Sequence, residues 1–442
     1  MRGPAGAALT MRILLSGIAC APDAGSEPGI TWNWAENLAA DHDVWVITHE
    51  YFRPAIERYL AEHPLPRLRF TYTGRLGWWD MLRLPSQRGI RLHYVAWQRH
   101  VLRIARELDA EHDFDLIHHV SWSTIGAPPR LGELGKPFIW GPLGGGQTTP
   151  WPLLREFGWQ APLEVVRSLR IALLPYLPSV RRAARQARLV MAVNNETAAV
   201  LRRAGVQRPR LFVDVGVPPR VLDAPLAERP TQGPFTVFFA GQIELRKGIG
   251  LLLEVARKLR GQDIRFVVVG DGPNAAAVRR RAEELGLPIR FLGKRPWREV
   301  QDLYRSAHVF LFTSIRDSFG TTTLEALAGG APVICIDHQG AGAHLPNDAT
   351  VKVPVGPREQ VAESMARAVL DLAADRPRLA AMSRAGRLWV LETEAWDRRT
   401  ERMERIYEQV LAPVAGPPAP RRVESRGSAP QYGDRAGEAA GG

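Results

Sequence analysis

Ser314-Ile-Arg-Asp-Ser-Phe-Gly-Thr-Thr-Thr-Leu-Glu-Ala-Leu-Ala-Gly-Gly-Ala-Pro332 is the stretch that decides the fold. An apolar run, His308-Val-Phe-Leu-Phe-Thr313, precedes it, and a second, Val333-Ile-Cys-Ile336, follows. The pattern predicts a strand, a glycine turn, a helix and another strand. Gly320, Thr321 and Thr322 stand where that helix opens. A helix start offers N–H groups without intrahelical partners and the positive end of the dipole, which suits an anion. Asp317 and Glu325 bracket the turn and can accept hydrogen bonds from hydroxyls. Anion binding flanked by hydroxyl binding suits a sugar nucleotide.

The 442 residues can hold two domains, each with its own core. Net charge is +12, carried mainly by arginine, with lysine at five positions. A basic excess admits phosphorylated small molecules, an anionic membrane surface or nucleic acid, without choosing among them. No nucleic-acid recognition motif accompanies the charge, which disfavours that partner. Cys20 and Cys335 are the only cysteines, one in each half, so no disulfide framework is implied and a cytoplasmic setting is expected. No apolar run approaches the roughly 20 residues of a spanning helix. Residues 1–10 make a poor signal peptide, and Met11 is read as the true start.

Outward from the opening stretch, strand and helix alternate through both halves, which predicts parallel α/β sheets. In the first half, strands are expected at Arg12–Ile18, Val44–Thr48, Leu68–Tyr72, Phe114–Val120, Pro137–Trp140, Leu189–Val193 and Leu211–Val215. Helices are expected at Ile30–Ala40 and Arg91–Leu108. Residues 217–234, with five prolines, read as a linker. Strands resume at Phe235–Ala240, Ile264–Val269, Ile289–Leu292, Val309–Phe312 and Val333–Ile336. The organisation is therefore a first domain over 11–216 and a second over 235–394, the second carrying the stretch that suits a sugar nucleotide. A last helix over 395–411 can return to the first domain, and residues 1–10 and 412–442 read as disordered. Two such sheets leave a cleft, onto which the loops after their strands open.

Three further segments carry chemistry. In Phe238-Phe-Ala-Gly-Gln-Ile-Glu-Leu-Arg-Lys-Gly248 a strand ends at Gly241, and Arg246 and Lys247 stand where a phosphate would need charge. Ordinary surface cations at a helix start are the plainer reading. The spacing is not that of a Walker A loop. Val267-Val-Val-Gly-Asp-Gly-Pro273 is a strand and tight turn without the third glycine of a dinucleotide site. In the first half, Gly25, Glu27 and Gly29 form a glycine loop, where Glu27 can meet a ligand or cap the helix.

Taken together, Gly241–Gly248, Gly270–Pro273, Phe291–Gly293, Tyr304–Phe312 and Asp317–Pro332 resemble the retaining glycosyltransferases of family 4 (glycosyl transferases group 1), which have the GT-B fold. Gly25–Gly29, Trp32–Trp34, His118–Val120 and Phe138–Gly146 look like a bacterial branch of that family. The resemblance implies two Rossmann-like, doubly wound parallel sheets facing a cleft. It implies that Glu325 binds the ribose, that Asp317 holds the donor sugar, and that Gly320, Thr321 and Thr322 present N–H groups to the diphosphate. Asp317 is shorter than the glutamate usual there. Lys247 matches the family's phosphate lysine. Gln242 stands where the family has arginine, with Arg246 as the substitute. Base recognition is expected through backbone near Gly272 and Gly293. A cleft histidine is expected from His118 or His119, with His119 preferred because it shares a strand face with Ile117; a structural histidine is nearly as good a reading of either. The family usually works without a metal, and no cofactor is implied beyond the nucleotide sugar as co-substrate.

The segment Pro64–Arg106 holds nine arginines, one acid, Asp80, and the pair Trp78 and Trp79; Arg181, Arg182, Arg185 and Arg188 form a second cluster. Peripheral contact with the inner membrane face and a mixed core-and-surface region are both open readings. The expected activity is transfer of a sugar from a nucleotide-sugar donor to a saccharide or lipid-linked acceptor in envelope, exopolysaccharide or glycolipid synthesis. A silent nucleotide-sugar binder or scaffold of the same fold, or an epimerase of that fold, is the alternative.

Overall fold

The computed structural model describes residues 10–24, 26–74, 87–226, 229 and 232–413, without the side chains of Ser26 and residues 87–92. Gly25, Trp78, Trp79 and most of both tails lie outside the described residues. The first sheet contains β1 (Arg12–Gly17), β2 (Asp43–His49), β3 (Leu68–Thr73), β4 (Leu116–Ser121), β5 (Phe138–Leu143), β6 (Leu189–Ala192) and β7 (Arg210–Leu211). The second contains β8 (Phe235–Ala240), β9 (Ile264–Val269), β10 (Ile289–Gly293), β11 (Val309–Phe312), β12 (Val333–Ile336) and β13 (Thr350–Val353). All the pairings are parallel.

The helices of the first half are α1 (Ser26–Leu38), α2 (Arg53–Glu62), α3 (Gln87–His112), α4 (Ala161–Leu173), α5 (Pro178–Gln186) and α6 (Asn195–Arg203). Those that follow are α7 (Pro219–Leu222), α8 (Ile249–Lys258), α9 (Ala275–Glu284), α10 (Trp297–Ser306), α11 (Thr321–Ala328), α12 (Gln339–His344), α13 (Arg358–Ala374), α14 (Arg376–Trp389) and α15 (Trp396–Leu411).

Strand order is β3-β2-β1-β4-β5-β6-β7 in the first sheet and β10-β9-β8-β11-β12-β13 in the second. In each, the order reverses beside the first strand, between β1 and β4 and between β8 and β11. Chain leaving neighbouring strands in opposite directions opens a crevice there, and ligands of open α/β sheets bind at it. Each sheet is buried on both faces. The first carries one apolar cluster with α1 and α15 and another with α3, α5 and α6. The second carries one with α8, α9 and α13 and another with α10 and α11. Double burial explains why strands such as Phe-Leu-Phe312 are continuously apolar.

Trp396, Met403, Ile406 and Tyr407 of α15 pack into the core of the first sheet. The two crossings between domains run side by side, with Val217 N donating to Glu394 O at 2.9 Å and Trp396 N to Val217 O at 3.2 Å.

Three features depart from the sequence reading. The expected strand Leu211–Val215 pairs only at Arg210–Leu211, and its remainder leads into the crossing. β13 was not read from the sequence. A 3-10 segment, Trp151–Gln160, lies after β5, and its Leu153 and Phe157 enter the core of the second domain, so the chain makes an extra excursion across the cleft before α4.

Candidate active site

The loops after β8 and β11 are stitched together. Ile315 N donates to Arg246 O at 2.9 Å, and Thr313 Oγ1 donates to Lys247 O at 2.9 Å. Gly248 has φ 67°, and a Cβ there would collide with the carbonyl of Thr313, so only glycine lets the two loops approach. This contact brings Lys247 to Asp317, where Nζ donates to Oδ2. Arg246 lies 3.8 Å from the other Asp317 oxygen and 2.6 Å from Glu244. Burial alone would raise the Asp317 carboxyl, but Lys247 and Arg246 outweigh it and hold it below the ordinary carboxylate range.

Gly320 precedes α11 with φ 97°, and no side chain caps the helix. A Cβ on Gly320 would strike the ring of Phe312, which fixes the sharp entry from β11. One turn into α11, Glu325 accepts from Trp297 Nε1 at 3.3 Å and from Tyr304 Oη at 3.1 Å. Burial raises its carboxyl and these two bonds oppose the rise. Glu325, Thr321 and Trp297 line a cleft cavity of about 490 Å³, closed on the other side by Gly29, Asn33 and Arg220. Gln242 is exposed, and its side chain accepts weakly from Arg246 at 3.5 Å. Gly272 packs its backbone on the loop holding Gly241, with Ile243 N donating to Asp271 O at 3.0 Å. Gly293 O accepts from Gly270 N at 2.9 Å, so the ends of β8, β9 and β10 are joined into one tier.

From the first domain, Gly29 is required because a Cβ there would collide with the carbonyl of Ala24. Glu27 Oε1 accepts from Ser123 Oγ at 3.1 Å, while Oε2 is sealed from solvent with no partner. Burial, then the nearby Asp214, pushes the Glu27 carboxyl up to about 7. Asp214 is itself raised to about 6 by burial. Among the described residues neither forms an ion pair, and Arg399 opposes the rise at Asp214 from beyond contact.

The histidines are a correction. β4 runs on through Ser121, so His118 and His119 are mid-strand residues, both fully buried. His118 faces α15 and bonds Tyr407 Oη at 2.7 Å and Gly141 O at 2.5 Å. His119 faces α3 and bonds Tyr94 Oη at 2.8 Å and Ser16 Oγ at 3.2 Å. Every ring nitrogen is occupied, and neither residue lines the cleft cavity. Burial pushes them down to about 4 and about 3, so both are neutral.

Sequence reasoning missed the contacts that close the cleft. Gln147 Nε2 donates to Ser318 Oγ at 2.9 Å, and Asn194 Nδ2 donates to Ser318 O at 2.9 Å. Gln339 Oε1 accepts from Asp317 N at 2.7 Å, and its Nε2 donates to Thr148 O at 3.0 Å. A Cβ on Gly144 would sit 2.7 Å from Ser318 Oγ, so the run Gly144-Gly-Gly146 was the available signal of close approach. Among the described residues, no three His, Cys, Asp or Glu side chains gather as metal ligands.

Comparison with known proteins agrees with this architecture. Residues 227–389 match the family described as Glycosyl transferases group 1. The 2-deoxystreptamine glucosyltransferase of Streptomyces kanamyceticus is 28% identical over 353 residues, 75% of this chain and 83% of that protein. A phosphatidylinositol N-acetylglucosaminyltransferase component from Arabidopsis thaliana is 25% identical over 213 residues; the match spans 47% of this chain and 46% of the plant protein. Among solved structures, a glycosyltransferase from Rickettsia africae superposes with a TM-score of 0.62 at 17% identity, over 91% of this chain and 99% of its own. Anabaena Alr3699/HepE in complex with UDP superposes with a TM-score of 0.56 at 15% identity, over 90% and 100%.

Proposed function

We propose a reaction for this chain, which belongs to the group 1 glycosyltransferases and has their GT-B fold: transfer of a sugar from a nucleotide-sugar donor to a saccharide or lipid-linked acceptor, with retention at the anomeric carbon and without a divalent metal. The observation that carries it is the meeting of Lys247, Asp317 and the uncapped start of α11 at the switch point of the second sheet, with Glu325 one turn on in the cleft cavity.

In this reading the donor diphosphate lies on the first turn of α11, where Gly320, Thr321 and Thr322 offer backbone N–H groups and the dipole favours negative charge. Glu325, oriented by Trp297 and Tyr304, accepts from the ribose hydroxyls. Lys247 moves from Asp317 to the phosphate, and Arg246 follows. Asp317, released from its cations, accepts from a hydroxyl of the sugar. The bond between the anomeric carbon and the phosphate oxygen breaks with its electron pair going to the diphosphate. The acceptor oxygen bonds that carbon from the same face, and its proton passes to a diphosphate oxygen. Catalysis rests on positioning and on the positive potential at the leaving group. Activity is accordingly expected to persist in excess EDTA.

UDP is the first probe, because the Anabaena neighbour is described in complex with it, and GDP is the second. Calorimetry should show one of them binding, with Glu325→Ala weaker by about 1–3 kcal/mol, the cost of leaving buried donors unpaired. Asp317→Asn should retain nucleotide affinity and lose turnover on a donor panel. Binding with no hydrolysis or transfer from any donor would leave a silent nucleotide-sugar binder. No binding of either nucleotide would overturn the site.

A further inference from the structure

We propose that the outward face of α4, with the turn that follows it, docks on an anionic lipid bilayer. α4 is built inside out. On its inner side, Glu164 Oε2 accepts from Thr149 Oγ1 at 2.8 Å, and Arg167 NH1 donates to Gln147 O at 2.9 Å. On its outer side, Leu163, Val166, Leu169 and Leu173 follow one another at helical spacing and stand exposed, Leu169 at 62%. Trp159, 81% exposed, stands just before the helix, and the exposed Tyr176 stands just after it. A soluble helix places these residues the other way round, and a contiguous apolar surface of this kind marks a contact.

Charge selects the occupant. Between residues 151 and 188 the chain has two acids, Glu156 and Glu164, and both turn inward. Glu156 lies 3.2 Å from Arg358, and Glu164 lies 3.0 Å from Arg316. Arg155, Arg170, Arg181 and Arg185 are exposed over the same stretch. Apolar side chains rimmed by arginines with the acids withdrawn match the interfacial zone of an anionic leaflet, where rings and aliphatic chains enter the headgroup boundary and cations meet phosphate. The net charge of +12 adds long-range attraction. No helix of the described residues is long and apolar enough to cross a membrane, so the contact is peripheral. The inner side of α4 holds Arg316, the neighbour of Asp317, so docking would set the cleft beside the bilayer. The proposal does not depend on the donor reading.

The test uses the full chain and vesicles of phosphatidylcholine with or without phosphatidylglycerol. The wild type should co-sediment with the anionic vesicles, hardly with the neutral ones, and be released by high salt. Leu169→Glu with Leu173→Glu, two exposed positions, should weaken this partition roughly tenfold or more. The same variant should leave UDP affinity and thermal unfolding unchanged. Brominated lipid should quench tryptophan emission in the wild type, and quenching should fall in Trp159→Phe. Absence of binding at low salt, or equal binding by the double variant, would overturn the proposal. So would a wild-type dimer that the double variant dissolves while neither binds vesicles, since a second copy would then cover the face.

Discussion

Two groups of acid stand on the two sides of the cleft, and their carboxyls end on opposite sides of the ordinary range although burial raises both. In the second domain, Asp317 is half-buried against Lys247 and Arg246, which hold its carboxyl below the ordinary range. In the first, Glu27 and Asp214 are sealed near one another with only Ser123 at Glu27, and both are raised, to about 7 and about 6. Desolvation is the largest cause in each case. The partner decides the sign: a cation at contact outweighs desolvation, whereas a hydroxyl does not. The second domain therefore presents a fixed cluster of ionised groups. The first presents two carboxyls that burial raises, with no contacting cation to oppose it.

The largest expected effect comes from giving the second domain the first domain's situation. Lys247→Met leaves Asp317 with Arg246 alone. Removing one partner of a buried pair costs about 3 kcal/mol, at the lower end because both side chains retain some exposure. Denaturant unfolding at pH 8 should show this loss. Calorimetry should show UDP or GDP binding weakened by about 1.5–3 kcal/mol as a charge-assisted bond disappears. Adding Asp317→Asn should restore stability and leave binding weak. A Lys247→Met protein of wild-type stability would remove the contrast between the two sides.

Next in size is the pH dependence of the first-domain pair. Between 4.5 and about 7 the folded state keeps the Glu27 proton that the unfolded chain has lost. The folded state binds more protons there, so stability falls as pH rises. The contribution is complete below pH 4.5 and lost as pH passes about 7; for Asp214 the window runs from 3.8 to about 6. Glu27→Gln should flatten this slope, a difference of about 2–3 kcal/mol between pH 5 and pH 8. Asp317 works in the opposite direction: its folded value is depressed, so its contribution is present above the unfolded value and lost as pH falls. Urea midpoints of wild type and Glu27→Gln across this range measure the difference. Parallel curves would mean that burial does not raise the Glu27 carboxyl in the folded protein.

The smallest expected effect concerns what holds the two sides together. Gln147→Ala removes the 2.9 Å bond to Ser318 Oγ, worth about 1 kcal/mol. Small-angle scattering should show a larger radius of gyration in the unliganded variant and recovery with saturating nucleotide. An unchanged radius would place the closing energy in Asn194 and Gln339 instead.

Local pattern determined a great deal. Continuous apolar runs of four to seven residues, separated by helical stretches, gave the parallel sheets, because a strand covered on both faces has no polar side to display. The strands β8, β9, β11 and β12 begin and end where the pattern placed them. Gly248 and Gly320 were legible as turn residues, and the acids eight positions apart were legible as a pair, because a loop and the helix it opens are local. β13 was missed because Thr350-Val-Lys-Val353 is short and only half apolar. The excursion through Trp151–Gln160 and the inside-out α4 were missed because an amphipathic helix reads the same whichever way its apolar face points.

The sequence by itself determined two doubly wound layers and the two loops that carry Lys247 and Asp317. Tertiary structure alone decided that Lys247 meets Asp317 across 70 residues, that Glu27 meets Ser123 and lies near Asp214, and that His118 and His119 are core residues. The physical reason is that periodicity records which residues are covered, at a range of one turn or one pleat, and says nothing of what covers them. A buried acid looks the same in sequence whether its neighbour is a lysine or a second acid. Its charge, and with it the chemistry of each side of the cleft, is set by contacts that only the packed domains bring together.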